Sequence, residues 1–433
     1  MRRHLTDAFW VISGTALSAV GTLVGIRVLT QYLAPGAYGA VSLALGLSTL
    51  AISLVATPLT QAAIHYYPAL TQSDSAAELL RSLRRSFGRA IPWIVAGAVL
   101  AAIAYMRWGG GSPVLVIILM LLLASDCWRS ANLSLLNAAR RHRPYALWVA
   151  GDAALRPLAA VLGVLLLGSA PEVVLGAYVV VSMSLVLIFS HRGGKTGVAT
   201  GQPYSREESV ALDKRLWDYA RPLIPLGIIG WISNLGDRYV IGGLLSVADA
   251  GVYAAIYGLS SSPFLMVGGT VELALRPIHQ AAVARGDQGH SQKMYRIWLL
   301  SVASVCAVGV LALVFGHRLV ASLFVGAAYR HASDLMPWIG LGYAIRSVSA
   351  VFERMCYAYG QTRRVLMIQS CSVAATLVAT PLGVITLGLK GAAIAVPVYF
   401  SVQLAAAVIL ARLTIKQSTA TDWSPVPGRA VPS

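Results

Sequence analysis

The runs RVLTQYLAPGAYGA, Arg27 to Ala40, and RYVIGGLLSVADAGVYAA, Arg238 to Ala255, decide the reading of the fold. Each opens on an arginine near the end of an apolar stretch and crosses a short polar loop. Each then returns to apolar sequence through Gly-x-Tyr, Gly36-Ala37-Tyr38 in one and Gly251-Val252-Tyr253 in the other. A second pair of landmarks keeps the same order: NAARRHRPYAL at 137–147 and YAYGQTRRVLM at 357–367. Landmarks that recur in order describe a weak internal repeat of two halves in the same orientation.

Working outward from these runs, the chain is written in membrane-length apolar sequence. Hydrophobic residues make up 57% of its 433 positions and charged residues 12%, about half the charged share of a soluble protein. Runs of about 20 apolar residues recur, each able to cross a bilayer core of roughly 30 Å as a helix. Lipid cannot satisfy an open strand edge, so these runs must be helical. The expectation is an all-α polytopic membrane protein with about twelve spans, at 9–30, 40–64, 91–106, 114–137, 145–167, 173–190, 223–245, 251–276, 297–315, 335–359, 365–387 and 392–413. MRRHLTDAFW reads as the basic flank of an uncleaved first anchor.

The net charge of +17 admits a nucleic-acid reading or a topological one. Topology accounts for it better. With the N-terminus in the cytoplasm, alternate connections collect Arg2, Arg3, then Arg81, Arg84, Arg85, Arg89, then Arg140, Arg141, Arg143. The series continues through Arg192, Lys195, Arg206, Lys214 and Arg215, then Arg276, Arg285, Lys293 and Arg296, then Arg363, Arg364, Arg412, Lys416 and Arg429. The opposite connections hold only Arg107, Arg318, Arg330 and Lys390. This is the positive-inside bias, which puts both termini in the cytoplasm and assigns no nucleic-acid partner. The segment 75–89, SAAELLRSLRRSFGR, is amphipathic and reads as a topogenic loop or as a surface for anionic headgroups.

The domain reading follows from polarity: a six-helix bundle over 1–195, a cytoplasmic linker over 196–218, a second six-helix bundle over 219–413 and a disordered tail over 414–433 carrying Pro425, Pro427 and Pro432. Two parallel repeats suggest two bundles facing each other across a cavity, one rocking against the other.

Charges inside the spans single out candidate site residues. Arg27, Arg129, Arg156, Arg238, Arg346 and Arg354 lie at membrane depth, where a charge faces a partner or a cavity. Asp126–Arg129 at i,i+3 and Asp152–Arg156 at i,i+4 can neutralise each other on one helix face, as can Glu272–Arg276. Asp237–Arg238 and Glu353–Arg354 are sequence neighbours that point apart, so those acids need other partners. Arg27 and Arg346 have no acid nearby in sequence, and Arg238 follows Arg27 by the repeat. Asp126, Asp152 and Asp237 are candidates for a coupling H+ or Na+. No cofactor or metal is expected: the four cysteines show no paired spacing, and His65, His142 and His279 stand apart. Gly21 and Gly25, with Gly14 and Ser18 before them, mark a close helix contact. Trp10, Trp93, Trp108, Trp217, Trp298 and Trp338 fall near span ends, as an aromatic belt places them. Tyr66 and Tyr67 read as interfacial anchors or as sugar-stacking rings.

RVLTQYLAPGAYG resembles the first-helix signature of polysaccharide repeat-unit flippases of the Wzx type. DRYVIGGLLSVADAGVYAAIYGL (Asp237–Leu259), ARGD (Ala284–Asp287), VGAAYRHASDLMPWIGLGYAIRS (Val325–Ser347) and YAYGQTRR (Tyr357–Arg364) extend the resemblance over about residues 8–412. The resemblance implies the V-shaped fold of the multidrug/oligosaccharidyl-lipid/polysaccharide exporter superfamily. It implies a polyprenyl-diphosphate-linked glycan as substrate, for O-antigen, exopolysaccharide or another surface polysaccharide. It also implies a pathway polymerase as partner. The chain departs from related lipid II flippases in lacking two further C-terminal helices, and it carries Glu353 and Arg354 where uncharged or amide residues are expected. An anionic lipid headgroup suits arginine, whose planar fork matches phosphate oxygens. A drug or cation antiporter of the same superfamily is the alternative, and it calls for an acid-dominated cavity. A membrane glycosyltransferase, polymerase or ligase is disfavoured: no P-loop, HExxH or nucleophile elbow occurs, and the longest outer connection, 316–334, holds one acid.

Overall fold

Proline sets several helix starts in this chain. Pro35, Pro171, Pro225 and Pro337 stand in the first turns of their helices, where the missing N–H would have no partner anyway. The computed structural model describes residues 2–72, 78, 79, 81–83, 85–90, 92, 93, 96, 97, 113–138, 141–193, 205–285, 287–359 and 361–420, and every regular element among them is helical. The helices are α1 (Arg2–Tyr32), α2 (Pro35–Ala51), α3 (Thr57–Gln72), α4 (Pro113–Ala138), α5 (His142–Leu167), α6 (Pro171–Gly193), α7 (Arg206–Ala220), α8 (Ile224–Leu244), α9 (Val247–Ala284), α10 (Gln288–Phe324), α11 (Met336–Ala358) and α12 (Thr362–Ala420). A π-helical turn, Ile52–Ala56, joins α2 to α3 without a break.

Eight helical stretches among the described residues are long and apolar enough to cross a membrane. Leu167, Phe315 and Ile385 stand widely exposed on them, a pattern water opposes and a bilayer accepts. The chain is a multi-pass membrane protein. The expected spans 9–30 and 223–245 coincide with α1 and α8, which are not among the eight, and α8 carries Asn234, Asp237 and Arg238. The expected span 91–106 falls largely outside the described residues. The outer connection expected over 316–334 is mostly helix: α10 runs on to Phe324, and a 3-10 turn occupies Ala327–Leu335. The tail expected from 414 is helical as far as Ala420.

Contacts sort the chain into two compact units, Met1–Ala255 with Phe324–Tyr329, and Ile256–Leu323 with Arg330–Ser433. In the first unit α1 lies on α5 through small residues. Gly14 sits against Ala146, Gly21 against the backbone of Ala153 and Gly25 against the Pro157 ring. The two Gly-x-Tyr turns also meet there. A Cβ on Gly251 would strike the Pro35 carbonyl and Gly39, and one on Gly39 would strike the Val247 carbonyl. The repeat therefore holds its two turns backbone to backbone, at a distance only glycine permits.

The expected linker is partly a docked helix. Ser205 and Glu208 form a reciprocal capping box that starts α7. Leu212, Leu216 and Ala220 then bury one face of α7 against the core that contains Leu59, Leu79 and Leu83. The rest of the linker, 196–204, lies outside the described residues. Asp213 on that face pairs with Arg85 at 3.1 Å and Arg89 at 3.1 Å, and accepts from the Ser82 hydroxyl. Glu78 pairs with Arg81 at 3.0 Å and Arg85 at 2.9 Å, and accepts from Ser209 at 2.9 Å. Arg81, Arg85 and Arg89 of the amphipathic 75–89 segment thus answer carboxylates of their own chain. Burial alone would raise the Asp213 carboxyl, but the hydrogen bonds from Arg85 and Ser82 and the charges of Arg85 and Arg89 hold it below the usual carboxylate value. The same hydrogen bond to Asp213, joined by Glu78, raises Arg85.

In the second unit the expected spans 365–387 and 392–413 are two antiparallel arms of α12. The chain reverses at Gly388, with φ 60° and ψ −138°, a conformation that only glycine adopts readily. Gly383 and Gly391 touch backbone to backbone beside the turn. At the far end Arg364 ties the arms by donating to Thr414 Oγ1 at 2.6 Å, above a small core of Met355, Cys356, Ile368, Ala407 and Ala411.

Candidate functional site

Helix spacing places Asp126 and Arg129 on one face of α4, and Asp152 and Arg156 on one face of α5. The fold turns the two faces toward each other, so two local pairs become one cluster. Arg156 pairs with Asp126 and with Asp152 (2.9 Å), and donates to Ser182 of α6. Arg129 pairs with Asp126 and Asp152 at 3.3 Å each. Ser48 of α2 donates to Asp126 at 2.7 Å, and the Arg156 guanidinium lies over the Tyr178 ring at 5.5 Å. Asp126, Asp152 and Arg156 are buried, while Arg129 is only partly so. Two acids and two guanidinium groups sum to zero charge. Each member is costly to remove singly, because a lone buried charge in this setting costs about 3–5 kcal/mol.

Arg129 also forms part of the wall of a cavity of about 280 Å³ in the same unit. Its other walls are Ile52 of the π turn, Gln61 and Ile64 of α3, Ser130, Leu133 and Ser134 of α4, and Tyr145 of α5. The cavity lies toward the end of the unit that carries Arg141 and Arg143.

The remaining candidates are spread over both units. In the first, Arg27 donates to the Val325 carbonyl at 2.6 Å. It anchors a turn that is also held by Gly326 N–H on Thr30 Oγ1 (2.9 Å) and by Tyr329 O–H on the Leu33 carbonyl (2.9 Å). Asp237 is buried and accepts from the Tyr253 hydroxyl and the Arg238 amide, both at 2.9 Å. The Arg238 side chain reaches Ser42 Oγ at 3.2 Å. In the second unit, Arg354 pairs with Glu272 at 2.7 Å, and Arg276 joins the same carboxylate at 3.1 Å. Arg346 lies over the rings of Tyr343 (5.4 Å) and Phe400 (5.6 Å), and has no carboxylate or hydrogen-bond partner among the described residues.

Sequence reasoning left the partners of Glu353 unnamed and missed two further features. Glu353 is buried, and no cation pairs with it among the described residues. It accepts from Gln403 at 2.6 Å, Gln369 at 2.9 Å and Ser349 at 3.4 Å. Two glutamines inside apolar runs were the available signal. Ser48 and Ser182 joined the ion cluster with no signal at all, since serine at a helix contact is ordinary. The π turn beside the cavity likewise leaves no mark in ISLVA.

No protein-family model and no curated protein matches the chain by sequence. Solved structures do. An inward-facing multidrug resistance MATE family transporter of the MOP superfamily superposes with a TM-score of 0.76 at 14% identity, over 95% of this chain and 100% of that one. The lipid II flippase MurJ, in an inward closed conformation, gives 0.70 at 12% identity, over 92% and 86%. The MATE transporter VcmN of Vibrio cholerae, in mutant form, gives 0.54 at 14% identity, over 95% and 96%. At these identities the likeness establishes the fold: the chain is similar over nearly its whole length to transporters of the MATE and MurJ type.

Proposed function

We propose that this chain is a flippase that carries a polyprenyl-diphosphate-linked oligosaccharide from the cytoplasmic to the outer leaflet of a bacterial inner membrane. It would work by alternating access, with twelve spans in two bundles and both termini cytoplasmic. One observation carries this reading. Among the described residues, each membrane-depth carboxylate has donors within its own unit, whereas Arg346 faces only aromatic rings. A guanidinium without a counter-charge favours an anion, and a diphosphate matches its fork. Arg27 adds a second cation, which among the described residues donates to a carbonyl.

The reading also answers a physical need. Unpaired sugar hydroxyls cost several kcal/mol each in hydrocarbon, so a polar interior must replace water while the lipid tail stays in the bilayer. Moving a diphosphate outward gains about 2.3 kcal/mol per charge per 100 mV of inside-negative potential. For coupling to H+ or Na+ we favour Asp237, because Asp126 and Asp152 are already held by two arginines. One similar structure is named a lipid II flippase, which supports a lipid-linked substrate. A polysaccharide polymerase is the partner this pathway position implies.

The likeness to a multidrug resistance transporter favours a second reading, a cation-coupled drug antiporter. Outer-face labelling of lipid-linked glycan in cells lacking the protein separates the two. Glycan that accumulates and cannot be labelled from outside is the expected result. Normal labelling combined with sensitivity to cationic drugs would replace the flippase reading with the antiporter.

A further inference from the structure

We infer that the cavity in the first unit is a subsite for one neutral sugar ring. The inference rests on the glycan reading above and assigns it a place within this unit. Ligand pockets run from about 300 to 1,000 Å³, so a cavity of about 280 Å³ suits a single small ring rather than a chain. A pyranose has apolar C–H faces and a rim of hydroxyls that donate and accept. The walls match that division. Ile52, Ile64 and Leu133 are apolar, whereas Gln61, Ser130, Ser134 and Tyr145 offer an amide and three hydroxyls. Ser130 and Ser134 stand four residues apart on α4, on one helix face.

Two further observations point to a ligand. None of those four polar side chains hydrogen-bonds to protein among the described residues, although the serines and Tyr145 are half-buried. They are donors and acceptors left for something else. Ile52 opens a π-helical turn, a widened helical geometry that gathers at functional sites.

Charge decides between a sugar and a phosphate. Arg129 reaches the cavity, but Asp126 and Asp152 already share its charge at 3.3 Å. The cluster behind the cavity is electrically balanced, so a diphosphate gains no net cation there. A neutral, hydroxyl-rich group loses nothing by that balance and can accept from the guanidinium edge.

The test is thiol protection. The buried Cys127, Cys306 and Cys356 are left in place, the exposed Cys371 is changed to serine, and Ser134→Cys supplies the reporter. Maleimide labelling is timed with glucose, galactose, mannose, rhamnose or N-acetylglucosamine, and separately with inorganic pyrophosphate. At a concentration ten times its Kd, a sugar that fills the cavity should slow labelling roughly tenfold. Gln61→Ala and Ser130→Ala should abolish that protection while the protein melts as before, and pyrophosphate should leave labelling unchanged. Protection by pyrophosphate alone, or by none of the compounds, overturns the inference. Flipping of lipid-linked glycan by wild-type protein in liposomes separates the two readings. Flipping without sugar protection sinks the subsite alone. Sugar protection without flipping sinks the flippase reading and leaves a neutral-sugar pocket.

Discussion

In the first unit Asp126 and Asp152 face Arg129 and Arg156, and each of the four charges is met by two of the opposite sign. In the second unit Glu353 faces Gln369, Gln403 and Ser349, while Arg346 faces the rings of Tyr343 and Phe400. Both arrangements keep charge within an apolar protein, by different means. Four charges in one closed cluster compensate each other, and the cluster is rigid because no member can leave alone. Neutral donors and aromatic faces hold a charge without cancelling it. The contrast shows where to look for an anionic ligand: a compensated charge is structural, whereas an uncompensated one can still attract a partner.

The largest effect should come from breaking the closed cluster. Arg156→Met leaves two buried carboxylates with only Arg129, and should cost about 3–5 kcal/mol in unfolding measured in detergent. A loss within experimental error would show that the cluster is hydrated and not closed. Next comes Arg346→Gln. Losing a cation over two rings costs about 0.5–2 kcal/mol of stability, so the protein should still fold. If Arg346 holds a diphosphate oxygen, the lost charge-assisted bond of about 1.5–3 kcal/mol should slow glycan flipping roughly tenfold or more. Unchanged flipping would remove Arg346 from the site and leave the comparison without its functional half.

A smaller effect is expected from Glu353→Gln. Its partners are neutral and an amide can turn, so unfolding should shift by only about 1 kcal/mol, in contrast to Arg156→Met. A loss as large as that of Arg156→Met would mean a cation also faces Glu353, and the two units would be alike. The smallest effect sharpens the role of burial. Asp213 also meets arginines, but Arg85 and Arg89 are well exposed, so each pair contributes about 1 kcal/mol or less. Because the Asp213 carboxyl is held below the ordinary value of about 3.9, its contribution is full above that value. It is lost as the pH falls through the lower, folded one. The protection factors of α7 amides, measured relative to the intrinsic exchange rate at each pH, should therefore be full at neutral pH and fall in acid. Asp213→Asn should remove that pH dependence and make exchange faster at neutral pH.

Much of the architecture was legible. Apolar runs gave most of the helices, since lipid-length hydrophobic sequence has one backbone solution. Gly21 and Gly25 announced a close contact, and α1 makes it with Ala153 and Pro157 of α5. The docked linker helix was harder to read. Its polarity made 196–218 read as a linker, and the capping box of Ser205 and Glu208 came to light only in the structure. The Gly-x-Tyr repeat was legible as a pattern, yet its reason was not. Gly39, one turn beyond Gly36, is the glycine the contact with Val247 requires.

Membrane class, helical backbone and local charge pairs can be read from the chain alone, because hydropathy and i,i+3 or i,i+4 spacing are properties of a chain segment. Which charges cancel across helices is a matter of tertiary packing. Asp126 lies 30 residues from Arg156 and 78 from Ser48, and Glu353 lies 50 from Gln403. No spacing rule reaches that far. Whether a buried charge is closed off or left available depends on which helices pack together, and the energy of a charge in low dielectric depends on its nearest neighbours in space.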